Sequence, residues 1–458
     1  MVHENNCPML QSSTKQIFLS KINSDNMPQT LLACVFLAGV VSAVLIVFVS
    51  SFFGELSYSL FNTRKEIRKT NNENLHFGTS MIWRGRQKTA MNQEVKKEAL
   101  TALNLAMDMF AQGKNEKALK LFQHAIALDP LHADILNEYG EFIEKHEKDI
   151  VLANHLYSKA LILRPTHSKA VINCKRTMPI VEEIDQTCFN RIDKKRDRLY
   201  KIPSNHPGIR RAKKETYYLH IYHTNAIEGN TLTLEQTRAI IETRMAIGGK
   251  SLHEQNEVIG IDAALGFMNN SLLAKAGNIN LDDILEVHKR VLGFVDPTEG
   301  GRLRRSQVFV GHFKPPPSKE LPELMKEFIL WLNSEEVSKI HPIEYAALAH
   351  YKLVTIHPFY DGNGRTSRLL MNLILMQAGF PPVSIKVEDR YRYYETLEMA
   401  NEGDIRPFIR FIAECTERTV DEFLLAAVEH SSNDTLSLAT IPEVSDSDQR
   451  RIVINNYP

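Results

Sequence analysis

From Asn26 to Gly54 the chain carries no charged residue, and within that window Leu31–Phe53 reads LLACVFLAGVVSAVLIVFVSSFF. A helix crosses the hydrocarbon core of a bilayer in about 20 apolar residues. This run is long enough, and only small polar groups interrupt it. Residues 31–53 are therefore expected to be a transmembrane signal-anchor. A cleaved leader would have a shorter apolar region nearer the start, whereas here the polar segment 1–30 comes first. Lys15 and Lys21 precede the run, and Arg64, Lys65, Arg68 and Lys69 follow it. That bias favours a cytoplasmic C-terminal side. Two N-x-S/T sequons, at Asn269 and Asn433, favour a lumenal one. The residues by themselves leave the topology open.

The chain as a whole has the composition of a globular protein, with 43% hydrophobic and 24% charged residues. Lys+Arg and Asp+Glu balance at 55 each, so no global charge attracts nucleic acid. The basic runs Lys194–Arg196 and Arg210–Lys214 read as solvated helix faces. None of the five cysteines forms a CxxC pair, and no Cys/His cluster has zinc spacing. Residues 94–165 contain a repeat: Ala118, Phe122, Ala125 and Pro130 recur 35 positions later as Ala153, Tyr157, Ala160 and Pro165. The spacing resembles tetratricopeptide repeats, which pair two helices over about 34 residues. Small alanines let such helices approach, and proline closes each unit. Gly140 falls where the second unit needs a small residue. Residues 166–204 follow as a charged linker helix, ending in the breaker cluster around Pro203 and Pro207.

The chemistry concentrates in His357-Pro-Phe-Tyr-Asp-Gly-Asn-Gly-Arg-Thr-Ser-Arg368. Apolar helical patterns flank it, so it reads as a loop feeding a helix N-terminus. Gly362 and Gly364 let the backbone curl until successive N–H groups form an anion nest, reinforced by the helix dipole. Asn363 can add a side-chain donor. Thr366 and Ser367 lie in the first helical turn, between Arg365 and Arg368, whose guanidinium forks suit phosphate oxygens. Asp361 is a hard oxygen ligand suited to Mg2+ (or Mn2+) bridging phosphates. His357 can act as a neutral base toward an attacking hydroxyl. Phe359 anchors the loop.

The stretch resembles the Fic motif HPFx(D/E)GNGRxxR at every specified position, and the resemblance extends over residues 205–428. It implies an all-helical Fic domain, ATP as co-substrate, and AMP transfer to a hydroxyl of a protein. Val308–His312 is similar to the family's β-hairpin flap. Val310, Gly311, His312 and Phe313 would line the nucleotide and register a target chain by strand pairing. Tyr393, Tyr394 and Asn401 look like adenine-side residues, with core packing as the alternative. Thr224-Asn-Ala-Ile-Glu228-Gly229 resembles the family's inhibitory motif. Its glutamate would pair with Arg368, occupy the arginine needed by the γ-phosphate, and so switch transfer off. The same carboxylate could orient a water that removes AMP from a modified target, with His357 as acid.

The full order is similar to that of the animal endoplasmic-reticulum Fic proteins. That likeness implies an all-α chain built from a transmembrane helix, tetratricopeptide pairs, a linker helix and a Fic domain with a flap. It also implies a type II endoplasmic-reticulum membrane protein with a lumenal catalytic domain acting on the resident Hsp70 chaperone. Leu252 matches a homodimer contact there, and Asn269 a glycosylated asparagine. The tail 429–458 is polar and expected to be disordered. Two rival readings remain: transfer of another phosphate-containing group, and a membrane-anchored repeat scaffold.

Overall fold

A computed structural model describes residues 93–433 of the chain, apart from His312. The expected anchor 31–53 and nearly all of the tail 429–458 lie outside the described residues. Among the described residues no helix is long and apolar enough to cross a membrane. The all-α expectation holds: these residues form fourteen α-helices and no strand, with one isolated antiparallel bridge, Val310 to Phe313.

Four helices come first: α1 Gln93–Ala111, α2 Asn115–Leu128, α3 Ala133–Phe142 and α4 Ile150–Leu163. Loops of a few residues make them two helical hairpins. Their shared core buries Ala118, Phe122 and Ala125 of α2 and Ala153, Tyr157 and Ala160 of α4, the residues that recur in the sequence. A Cβ on Gly140 would meet the Tyr157 ring at 2.6 Å. The backbone of α3 thus rides directly on that ring, which explains the need for a small residue there.

Helix α5, Ser168–Tyr200, contains Pro179. It lends Ala170, Cys174 and Met178 to the first core, then Phe189 and Ile192 to the larger one. The larger core comprises α6 Pro207–Ala226, α7 Leu234–Thr243, α8 Leu252–Phe267, α9 Leu281–Gly293, α10 Leu321–Leu332, α11 Pro342–Ile356, α12 Asn363–Gln377, α13 Arg390–Asn401 and α14 Arg406–Asn433. Their ends follow local chemistry. Thr233 with Gln236, and Asn280 with Asp283, form reciprocal capping boxes on α7 and α9. Pro207 and Pro342 start α6 and α11, where a missing N–H costs nothing.

Between the two cores lies a polar junction. Arg406 pairs with Asp404 and donates to Asn154 Oδ1 and Ser158 Oγ. His155 Nδ1 lies 2.9 Å from Asp404, and Arg410 pairs with Asp185 of α5. Burial alone would raise the Asp404 pKa, but Arg406 and His155 hold it well below the usual carboxylate range.

At the centre, α11 and α12 pack together with the segment 357–362 between them. Helix α12 is buried from Arg365 to Met376, so the start of that helix is a fixed platform.

Candidate active site

Gly362 begins the platform. It caps α12 with φ +74, a left-handed conformation open to glycine at little cost. No side chain caps this terminus, so its first N–H groups remain available to an anion. His288 holds the loop from below. Gly301 N–H donates to its Nδ1 at 3.0 Å, which leaves Nε2–H to donate to the Asp361 carbonyl, also at 3.0 Å. Its ring stacks on Phe359 with centroids 3.6 Å apart, and burial lowers its pKa to about 4.

His357 closes α11 in the left-handed region, φ 51. Its Nδ1 lies 3.2 Å from the Val354 carbonyl. A carbonyl only accepts, so the proton resides on Nδ1 and Nε2 keeps its lone pair. Burial pulls the pKa below the ordinary histidine value, with Arg304 adding to the effect. The side chain is thus a neutral base in the tautomer that leaves Nε2 to accept a proton.

Glu228 lies just beyond α6, in a turn where Glu228 N–H donates to Asn225 O and Gly229 adopts φ +103. That conformation accounts for the glycine of the motif. Its carboxylate reaches Arg368 Nη2 at 2.7 Å. A Cβ on Gly364 would overlap Glu228 Oε1, so the carboxylate rests against the first turn of α12. The chain's own anion therefore lies beside the helix start, paired with Arg368. Arg368 is 2% exposed. Its Nε donates to Thr224 Oγ1, and its Nη2 also donates to Thr224 O. Burial would depress its pKa, but the charge of Glu228 more than offsets that.

The remaining expected residues divide. Arg365 is buried between Glu257 Oε1 at 2.7 Å and Asp361 Oδ2 at 3.0 Å. Asn363 spends its amide on the loop, accepting from Phe359 N–H and donating to Phe359 O. This closes the turn as a peptide pair would, so one N–H of the amide serves as a staple. Thr366 and Ser367 are buried, and neither hydroxyl has a hydrogen-bond partner. Tyr393 is 1% exposed and lies under Arg368. Its hydroxyl is 3.4 Å from Nη1 and 2.9 Å from His350 Nε2. Tyr394 is part-exposed beneath the Arg390 guanidinium. Asn401 accepts from Tyr351 Oη and contacts Glu398. The flap segment closes through Val310 N–H to Phe313 O and Phe313 N–H to Val310 O. Gly311 lies at its tip, and His312 is outside the described residues. Leu252 starts α8 and is 69% exposed. Asn269 lies in the π-turn Met268–Leu272 that follows α8.

Asp361 is the only carboxylate in the loop, and 60% of its side chain is exposed. No group of three or more His, Cys, Asp or Glu among the described residues could hold a metal alone. One open carboxylate does fit Mg2+, which takes one or two protein carboxylates and draws its other ligands from phosphate and water.

Glu257, His288 and Arg304 carry no sequence signal that marks them for this site. Each is brought to it only by tertiary packing of α8, α9 and the segment after α9.

A histidine base facing an uncapped helix start with two buried guanidiniums, on an all-helical frame, defines the Fic class of protein. Residues 278–375 match the Fic/DOC family. The Aedes aegypti protein named Protein adenylyltransferase Fic is 54% identical over 347 residues, which is 76% of this chain and 70% of that one. Its Drosophila melanogaster namesake is 54% identical over 342 residues, 75% and 69% of the two chains. Among solved structures, Fic-1 from C. elegans shares 46% identity, covers 73% of this chain and 99% of that chain, and gives a TM-score of 0.68. The chain belongs to the Fic/DOC family.

Proposed function

We propose that this protein transfers AMP from ATP to a hydroxyl side chain of a target protein, and that Glu228 holds the transfer off. The observation that carries the reading is the Glu228–Arg368 pair laid over the uncapped start of α12, beside a neutral His357 with Nε2 open. The names of the relatives point the same way.

His357 Nε2 takes the proton of the target hydroxyl as its oxygen attacks the α-phosphorus, and the bond from that phosphorus to the β-phosphate breaks, releasing pyrophosphate. The N–H groups at the start of α12, with Arg365 and Arg368, hold phosphate oxygens as charge builds. Asp361 would hold Mg2+, which would supply charge neutralisation to the phosphates. While Glu228 occupies Arg368, ATP binds only in a pose unfit for in-line attack. Once AMP is on a target, the same carboxylate orients a water toward phosphorus and accepts its proton, and the bond from phosphorus to the target oxygen breaks. His357, now protonated, returns a proton to the leaving hydroxyl.

We further assign the target as the endoplasmic-reticulum Hsp70 chaperone, with residues 31–53 as a type II anchor and the catalytic domain lumenal. Tetratricopeptide repeats over 94–165 would form the arm, Leu252 the homodimer contact and Asn269 a glycan site. These assignments rest on the order of segments in the sequence.

The test uses residues 93–433 with Mg2+, ATP labelled in the α-phosphate, and an endoplasmic-reticulum Hsp70 chaperone. Glu228→Gly should label the chaperone, wild type should strip that label, and His357→Ala should do neither. Transfer of γ-label instead would overturn the reading.

A further inference from the structure

We infer that Arg304 is a positioning residue that couples the flap 305–317 to the base His357. Arg304 is 2% exposed and heads the fully buried side chains by volume. All three of its guanidinium nitrogens donate to backbone carbonyls: Nε to His357 O at 2.7 Å, Nη1 to Ser306 O at 2.9 Å and Nη2 to Pro316 O at 2.5 Å. Its own N–H donates to Pro358 O at 2.9 Å. One planar group therefore ties the carbonyl of the base to both stems of the flap. A guanidinium keeps its charge in a protein. Buried without a carboxylate partner, it is costly to hold, and a neutral residue would fill the space more cheaply. The five-donor fork is what this three-way junction requires.

The rest of the flap is built as a continuation of that junction. Tyr360 Oη accepts from both Arg305 N–H and Ser306 N–H at 3.1 Å. Gln307 Nε2 bridges Val308 O and Pro315 O across the hairpin, and the Val310–Phe313 bridge closes its tip. Phe309, 70% exposed, points its ring to solvent beside that tip. A target chain laid along the flap thus acts on stems whose carbonyls share one guanidinium with His357. Because His357 sits in a left-handed conformation, a shift of its carbonyl swings the imidazole. Arg304 sets that carbonyl, so docking of the target and aim of the base are one adjustment.

The inference rests on the transfer reading above, and two measurements keep their failures apart. Hydrogen exchange on the full chain needs no substrate. Arg304→Lys should raise exchange in 305–316 and 356–360 together, with α12 and α14 still protected. Transfer is then compared in a Glu228→Gly parent with and without Arg304→Lys. A misplacement of about 1 Å costs roughly 100-fold, so kcat should fall at least tenfold and KM for the Hsp70 target should rise. ATP affinity, measured by titration calorimetry, should stay within twofold, and the thermal midpoint within a few degrees. Arg304→Met, which removes every side-chain tether and leaves only the backbone bond to Pro358 O, should be worse than Arg304→Lys in both measurements. Loosening of only one segment overturns the coupling, as does a rate loss matched by loss of ATP binding or of fold. A silent parent sinks the transfer reading, and the exchange result still decides the clamp.

Discussion

Removal of the Glu228 carboxylate is the sharpest perturbation the site offers. The pair joins a fully buried guanidinium to a carboxylate with 29% of its side chain exposed, at 2.7 Å. Hydrogen bonds to charged groups contribute about 1.5–3 kcal/mol, and the partial exposure of Glu228 puts this one near ~2 kcal/mol. Arg368 keeps Thr224 Oγ1, Thr224 O and Tyr393 as hydrogen-bond partners, so its donors stay largely satisfied although the guanidinium loses its counter-charge. A bias of ~2 kcal/mol leaves about 3% of molecules open. Glu228→Gly should therefore raise the rate of AMP transfer at low ATP by roughly 30-fold. Glu228→Gln keeps a neutral hydrogen bond of about 1 kcal/mol and should give only about fivefold. The assay is the initial rate of α-phosphate label onto the target, with ATP well below KM, across wild type, Gln and Gly. A rise below threefold in Glu228→Gly, or a Gln variant equal to it, would refute a charge-assisted lock.

Four further outcomes are expected. Transfer by the Glu228→Gly protein should hold its rate to lower pH than an ordinary histidine base allows, because burial depresses the His357 pKa and the neutral ring is the active form; a pH–rate profile with its midpoint at or above the ordinary histidine value refutes this. The stability contributed by His288 and His220 should be complete above pH 6.5 and be lost toward pH 4, since both have pKa values of about 4 when folded and protonate on unfolding, each worth on the order of 3 kcal/mol; thermal melts against pH, with His288→Asn giving a shallower slope, report it. Gly364→Ala puts a Cβ where Glu228 Oε1 rests and where phosphate would come, so ATP affinity should fall and adding Glu228→Gly should not restore it. Asp404→Asn breaks a buried ion pair and should cost about 3 kcal/mol, read from the urea midpoint.

The sequence carried the loop 357–368 almost whole, because backbone curvature, charge and helix start are local properties of that stretch. Helices were legible for the same reason, as was the small residue at Gly140. Partners were not. The twelve-residue motif names Arg365 but not Glu257, which lies 108 positions away. It offers Asn363 as a donor, while the folded loop uses that amide to close itself. Tyr393 reads as an aromatic platform, yet packing of α13 on α14 buries it under Arg368. Contacts of this kind depend on how helices distant in the chain dock, and no local pattern encodes them.

Helix α5 has a mechanical consequence. At about 1.5 Å per residue, its 33 residues make a strut on the order of 50 Å long. One end is built into the first core and the other into the second. Its weak point is Pro179, where one backbone bond is missing, and it falls just after Met178, the last residue lent to the first core. Arg406 braces the near side of that point through Asn154, Ser158 and Met178. Arg410 braces the far side through Asp185. The strut is splinted where it would otherwise flex, so the first core is held at one set distance from His357. Adding a single residue to α5 would turn one core by about 100° against the other and spoil the measure without touching either.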